Sequence, residues 1–449
     1  DTPFGSQPIL TQTADTKAVE FGIACEACHG PAEEHARANR QPWRRYSLHF
    51  SGAPDTTIVQ PRRLNARRSS QVCGQCHAFW EFSDQSGERQ ANSQGLPYRP
   101  GDELTATRFI VQPTTNLESP TMKALLAEDA GFVRDIFWSD GMMRATGREY
   151  NGLIESPCFK NATDDKRTLS CASCHTMHKT ADDKRSLDAW ADDQLTPHAD
   201  GPVGNEACLQ CHSVESGFSR TLQRIEEHTH HRADSTGSSC YNCHMPYTTY
   251  GLLKTIRSHQ ISNPSVQASL ETGRPNACNL CHLDKTLAWT AEYLNQWYGM
   301  AKPALGPVDS DEQSVAASLL WLLRGDAGQR AIVAQSLGWP AAQQASGTGW
   351  LAPYLALSLD DPYDAVRYIT SRSLRTLPAF RDLAYDYVAP PPARAAIRVR
   401  AMEIWRRTRD DASWRGNAAL LINRDGTFNA VVVNRLVRTR DNRRVTYRE

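Results

Sequence analysis

Six times in this chain two cysteines stand three positions apart with a histidine directly behind the second. The copies are CEACH at Cys25, Cys28 and His29; CGQCH at Cys73, Cys76 and His77; CASCH at Cys171, Cys174 and His175; CLQCH at Cys208, Cys211 and His212; CYNCH at Cys240, Cys243 and His244; and CNLCH at Cys278, Cys281 and His282. They use all but one of the 13 cysteines. Pairs this close, with an odd thiol left over, do not make the disulfide framework of a long chain. A zinc site takes four ligands from two such pairs and has no use for a histidine fixed behind each. A redox dithiol occurs once, in a βαβ setting. The pattern that remains is the attachment signature of c-type haem: two thiols form thioethers with the two vinyl groups, and the adjacent imidazole becomes the proximal iron ligand. The expected cofactor is haem c, six copies.

Covalent haem attachment takes place outside the cytoplasmic membrane, so the chain is expected in the periplasm or at the cell surface. No charged-then-apolar leader opens the sequence, which reads as a leader already removed or a chain lacking its natural start. No stretch approaches the roughly 18 apolar residues of a membrane helix, so no transmembrane segment is expected. Lys plus Arg and Asp plus Glu number 50 each, which gives the whole no bias toward nucleic acid. From Ala389 onward there are 14 Arg, no Lys and 6 acids, leaving the residues before it net acidic by 8. Arginine suits bidentate pairing with carboxylates, whether haem propionates, an acidic partner or the chain's own acidic part.

Eight histidines lie outside the motifs: His35, His49, His178, His198, His228, His230, His231 and His259. Six low-potential haems with two imidazoles each need six of them. The expected distal set is His35, His178, His198, His228, His231 and His259, with His49 and His230 in reserve. His178 follows His175 by three residues, which span at most about 10 Å. That is too short to pass around the macrocycle to its opposite face. On a helix such positions share a side, so His178 is expected to serve a neighbouring iron; His35, shortly after His29, is read the same way. In EEHTHHR, His228 and His231 stand at i and i+3, with His230 directed elsewhere. Cys158 reads as a small buried hydrophobe, or else as a reactive thiol or ligand.

The fold class expected is mainly α with much irregular structure: a haem-cored domain over residues 1–299, then a helical-repeat domain over 300–449 with an Arg-rich end. Haems replace side chains as core material in the first part, so weak apolar periodicity belongs there. Between the second and third motifs, SPTMKALLAEDAGFVRDIF reads as a helix with Ser119 as cap and Pro120 in the first turn. LDKTLAWTAEYLNQWYG reads as a helix ending at Gly299. Beyond a linker, Val315, Leu319, Leu322 and Leu323 form one apolar stripe, Leu351, Leu355 and Leu359 a second, and Val366, Ile369, Leu374 and Leu377 a third. DDPYDAVRYITSRSLRTLP resembles a HEAT-type repeat, against the plainer alternative of a helical bundle.

CEACHGPAEEH, SCASCHTMH, HTHH with CYNCHMP, IRSHQI and RPNACNLCH together resemble the exported multihaem c-type cytochromes with doubled C-x-x-C-H arrays, from Gly22 to Tyr298. Members of that group often carry a further motif upstream of the CHGP copy. The resemblance implies electron transfer between redox donor and acceptor proteins, which include other multihaem cytochromes or a membrane complex, and it implies no nucleic acid. One alternative is an oxidoreductase acting on a nitrogen or sulfur oxyanion at one open haem. Relatives that reduce nitrite often place Lys where the motif His stands, and all six copies here keep His, so an electron carrier without chemistry of its own is the leading expectation. Another alternative is a homo-oligomer or filament, similar to surface cytochromes that polymerise through an intersubunit His ligand; residues 1–28 contain no His to serve it.

Overall fold

A computed structural model describes residues 22–162, 168–179, 181–187, 190, 205–213, 224–308, 310–409 and 414–445. His198 lies outside these residues. The chain is mainly helical, and its strands among the described residues form two short antiparallel ribbons. Trp80–Phe82 pairs with Arg108–Ile110, and Thr249–Gly251 pairs with Lys254–Ile256.

Each motif ends in or forms a short helical turn. The turns are Cys25–His29, the C-terminal end of Ala66–His77, Cys171–Cys174, Asn205–His212, Cys240–His244 and Ala277–Cys281. Asn65 caps the second by accepting from Arg68 N (2.9 Å), and Asn276 caps the last by accepting from Cys278 N (3.0 Å). Asn205 joins the fourth and fifth: its side chain accepts from Cys240 N (2.9 Å) and donates to Ser238 O (2.9 Å).

The insert between the second and third motifs owns two small cores. One gathers Phe79, Val111, Met122, Phe132, Ile136 and Phe137; the other gathers Tyr98, Leu104, Ile110 and Tyr150. The helix expected from Ser119 starts as read, with Ser119 Oγ accepting from Met122 N (3.2 Å), but it runs only over Pro120–Glu128 and resumes at Phe132–Ile136. Asp129 breaks it: its carboxylate accepts from Gly131 N (2.8 Å), a local turn that competes with the helical ladder. The helix before the linker covers Leu287–Tyr298, capped by Thr286 and ended by Gly299 at φ 66°.

The third core is the largest. It contains all three apolar stripes of the C-terminal part and continues through Trp138, Tyr250, Leu280, Leu283 and Leu287 of the motif-bearing part. Helices Ala317–Arg324, Ala327–Leu337, Leu351–Ser358 and Asp364–Leu374 build it, and Pro391–Thr408 packs on Leu351–Ser358. Arg330 forms a bidentate pair with Asp361 (2.7 and 3.0 Å), both about fully buried. The C-terminal arginines pair mainly with acids of this same part: Arg435 with Asp311, Arg440 with Asp361 and Arg443 with Asp326. Ser346 Oγ donates to Cys281 O (2.9 Å) and accepts from Leu283 N (2.8 Å), so the helical part grips the sixth motif turn directly.

Candidate functional site

Four motif imidazoles each face a second imidazole. His29 and His178 have ring centres 6.1 Å apart, His175 and His259 6.2 Å, His244 and His228 6.1 Å, and His282 and His231 5.9 Å. Their planes differ by 23°, 25°, 11° and 32°. Rings in face-to-face contact lie closer, as His230 on Trp297 does at 4.3 Å. A metal between two imidazole nitrogens needs about 2 Å to each, plus roughly 1.1 Å from nitrogen to ring centre, which totals about 6 Å. Such a spacing leaves the equatorial plane open to a macrocycle. Among the described residues no three His, Cys, Asp or Glu side chains converge as a bare-metal site would require.

Proton placement supports the same role. His29 Nδ1–H donates to Val59 O (2.7 Å), His244 to Ser262 O (3.0 Å), His231 to Thr229 O (2.6 Å) and His259 to Arg257 O (3.1 Å). A carbonyl only accepts, so each Nδ1 carries the proton and each Nε2 presents a bare lone pair. Burial lowers the pKa of His228, His244, His259 and His282, which favours the neutral, ligating form.

The attachment turns follow one another in space in chain order. Cys28 lies within electrostatic reach of Cys73 and Cys76. The thiols of Cys73 and Cys171 hydrogen-bond each other, Cys174 lies near Cys211, the thiols of Cys208 and Cys240 hydrogen-bond, and Cys243 lies near Cys278 and Cys281. The odd thiol, Cys158, sits half-buried near Cys174 and Cys211, and burial raises its pKa, which is the behaviour of an inert packing residue.

Two expectations change. His175 does not share a helix with His178: the helix stops at Cys174, His175 is extended (φ −106°, ψ 140°), and a bend at 177–178 brings the His178 ring opposite His29. The helix Ile225–Thr229 likewise ends before His231. His230 adopts φ 55°, and this left-handed turn sends His228 to His244 and His231 to His282. The exposed His230 stacks on Trp297 within an aromatic face of Leu287–Tyr298 that also holds Trp289 and Tyr293, and Tyr298 Oη donates to His228 O (2.6 Å).

Of the remaining expected residues, His35 hydrogen-bonds Asp55 (3.1 Å) and faces no imidazole among the described residues. His49 is exposed, with its ring edge on Phe50. His212 lies within electrostatic reach of His228 and His244. His77 has no imidazole facing it at the 6 Å spacing among the described residues; its Nδ1 meets Glu149 Oε2 at 2.8 Å. That hydrogen bond is the main cause of a raised His77 pKa. Glu149 and Val59 are partners that no local pattern marks, because each lies tens of residues from the histidine it holds.

No family model and no curated protein matches the sequence. Among solved structures the chain is similar to an outer cell wall cytochrome, OcwA. The match has 16% identity over 79% of this chain and 70% of that one, with a TM-score of 0.37, a likeness too loose to carry an argument.

Proposed function

We propose that the chain is an electron-transfer protein that holds six c-type haems, most or all with two axial imidazoles, and passes electrons between redox proteins outside the cytoplasm. The observation that carries this reading is the set of four imidazole pairs near 6 Å, each containing the histidine of a C-x-x-C-H turn. Bound haem supplies one-electron redox chemistry. The chain's part is to fix spacing and axial ligands. His178 follows the third motif and faces the first, and His259 follows the fifth and faces the third, so the polypeptide itself ties together sites that stand two apart in the row. In this reading residues 1–299 are the haem-bearing part. Residues 300–449 are a HEAT-like stack, supported by the packing of Ala327–Leu337 on Asp364–Leu374, the helix in which Val366 and Arg367 are buried.

The test is the intact mass of the exported protein together with its oxidised electron paramagnetic resonance spectrum. Six added porphyrins and low-spin ferric signals are expected; an unmodified polypeptide mass would overturn the reading. A second reading, an oxidoreductase with one open iron, draws on His77, which no described imidazole faces. A high-spin signal that shifts on adding nitrite or sulfite would favour it.

A further inference from the structure

The imidazoles proposed as iron ligands differ in what holds their second nitrogen. At His29, His231, His244 and His259 the partner of Nδ1 is a backbone carbonyl. At His77 it is the carboxylate of Glu149, at 2.8 Å; His35, which faces no imidazole among the described residues, meets that of Asp55 at 3.1 Å. Three successive residues clamp this motif turn. Arg148 Nη1 donates to Cys76 O (3.0 Å), Glu149 accepts from the imidazole, and the Tyr150 ring packs over Gly74, where a Cβ would stand 2.9 Å from it. Only glycine fits at the first position between these two cysteines. The same helix, Glu149–Glu155, reaches the third site as well: at Gly152 a Cβ would stand 2.7 Å from the backbone of His259.

A carbonyl dipole orients a ligating imidazole. A full negative charge on Nδ1–H goes further, giving the ring imidazolate character, raising its donor strength and favouring Fe(III) over Fe(II). We infer that Glu149, a positioning residue acting through His77, makes the iron attached at Cys73 and Cys76 harder to reduce than those whose imidazoles meet backbone carbonyls. The turn concerned stands second in spatial order, between the turns of Cys28 and Cys171. An electron travelling the row in either direction therefore meets an uphill step at this site.

The inference rests on the reading of these turns as haem sites, and its test separates the two. Glu149→Gln in the full, haem-loaded protein keeps a hydrogen-bond acceptor and removes the charge. Potentiometric titration should show one midpoint potential, low in the unmodified protein, rising toward the others, with six haems retained by mass. Unmoved potentials with six haems present would overturn the inference and leave the haem reading intact; absent haem in the unmodified protein would overturn that reading itself. If the Gln variant does not accumulate, stepwise reduction of the unmodified protein decides. A ferric signal that outlasts those of the carbonyl-held sites should carry the g values of an imidazolate-like ligand, and neutral-imidazole values there would overturn the inference.

Discussion

The helical part and the motif-bearing part solve the problem of an interior differently. Between Val315 and Leu383 apolar side chains are buried at nearly every turn, with Leu319, Leu322, Trp350, Tyr354 and Leu355 almost fully enclosed. Among the described residues from Gly22 to Gln71 no apolar side chain is buried, and from Lys160 to Thr249 only Pro246 is. Large ones there face outward instead: in the helix Pro42–Ser51, Trp43 and Phe50 are both 82% exposed. A peptide that buries so little apolar surface does not offset its conformational entropy alone. The comparison teaches that side chains fill one interior and leave the other short of apolar material, which the proposed haems would supply.

The sharpest way to break this contrast is to prevent attachment. Replacing the motif cysteines by alanine should raise proteolytic cleavage within 22–65 and 168–245 by on the order of 100-fold. The helices over 315–383 should stay protected in the same digest, read by mass spectrometry of the fragments. Uniform protection or uniform loss would erase the distinction between the regions.

The converse perturbation is Arg330→Met. It strips the buried Asp361 of its bidentate partner and leaves it only the longer contact to Arg440 (3.5 Å) and the hydrogen bond from Tyr363 N (3.0 Å), at a cost of about 3 kcal/mol. Thermal unfolding followed by circular dichroism should drop by several degrees, while the visible absorption of attached haem stays unchanged. A smaller and more local effect is expected from His178→Ala. One low-spin signal should be lost, and it should belong to the site of His29, 6.1 Å away, and not to the motif that His178 follows. His230→Ala removes the stack on Trp297, about 0.5–1.5 kcal/mol. Because this residue sits between His228 and His231, the signals of the fifth and sixth sites should broaden together.

The smallest effect concerns acid. Arg435 and Arg324 hold the carboxyl of Asp311 below its ordinary range, the hydrogen bond from Arg435 foremost. A carboxylate depressed in the folded state contributes stability that is complete above its unfolded value of 3.8 and is lost as pH falls through its folded value. Half of the pair is exposed to solvent, so the contribution is modest. Asp311→Asn should lower the melting temperature slightly at neutral pH and flatten its fall below about pH 4.

What could be read from the residues alone divides along the same line. The motif turns, the caps at Ser119 and Thr286, the stop at Gly299 and the three apolar stripes depend on neighbours within a few positions, and local rules reach them. That the His178 ring turns to a motif other than the one it follows was expected from chain reach alone, although the route is a bend and not a helix. Which iron it serves depends on topology, as does the hold of Glu149 on a histidine 72 residues away. The left-handed turn at His230 was hidden for another reason: histidine rarely adopts that conformation, and the ring of Trp297 that steadies it comes from a distant helix.

Ser346 ties the backbone on either side of His282 to the helical stack through one hydroxyl. The sixth motif turn is therefore geared to the helical part without slack. Anything that seizes those helices from outside would set the aim and range of that turn in the same stroke.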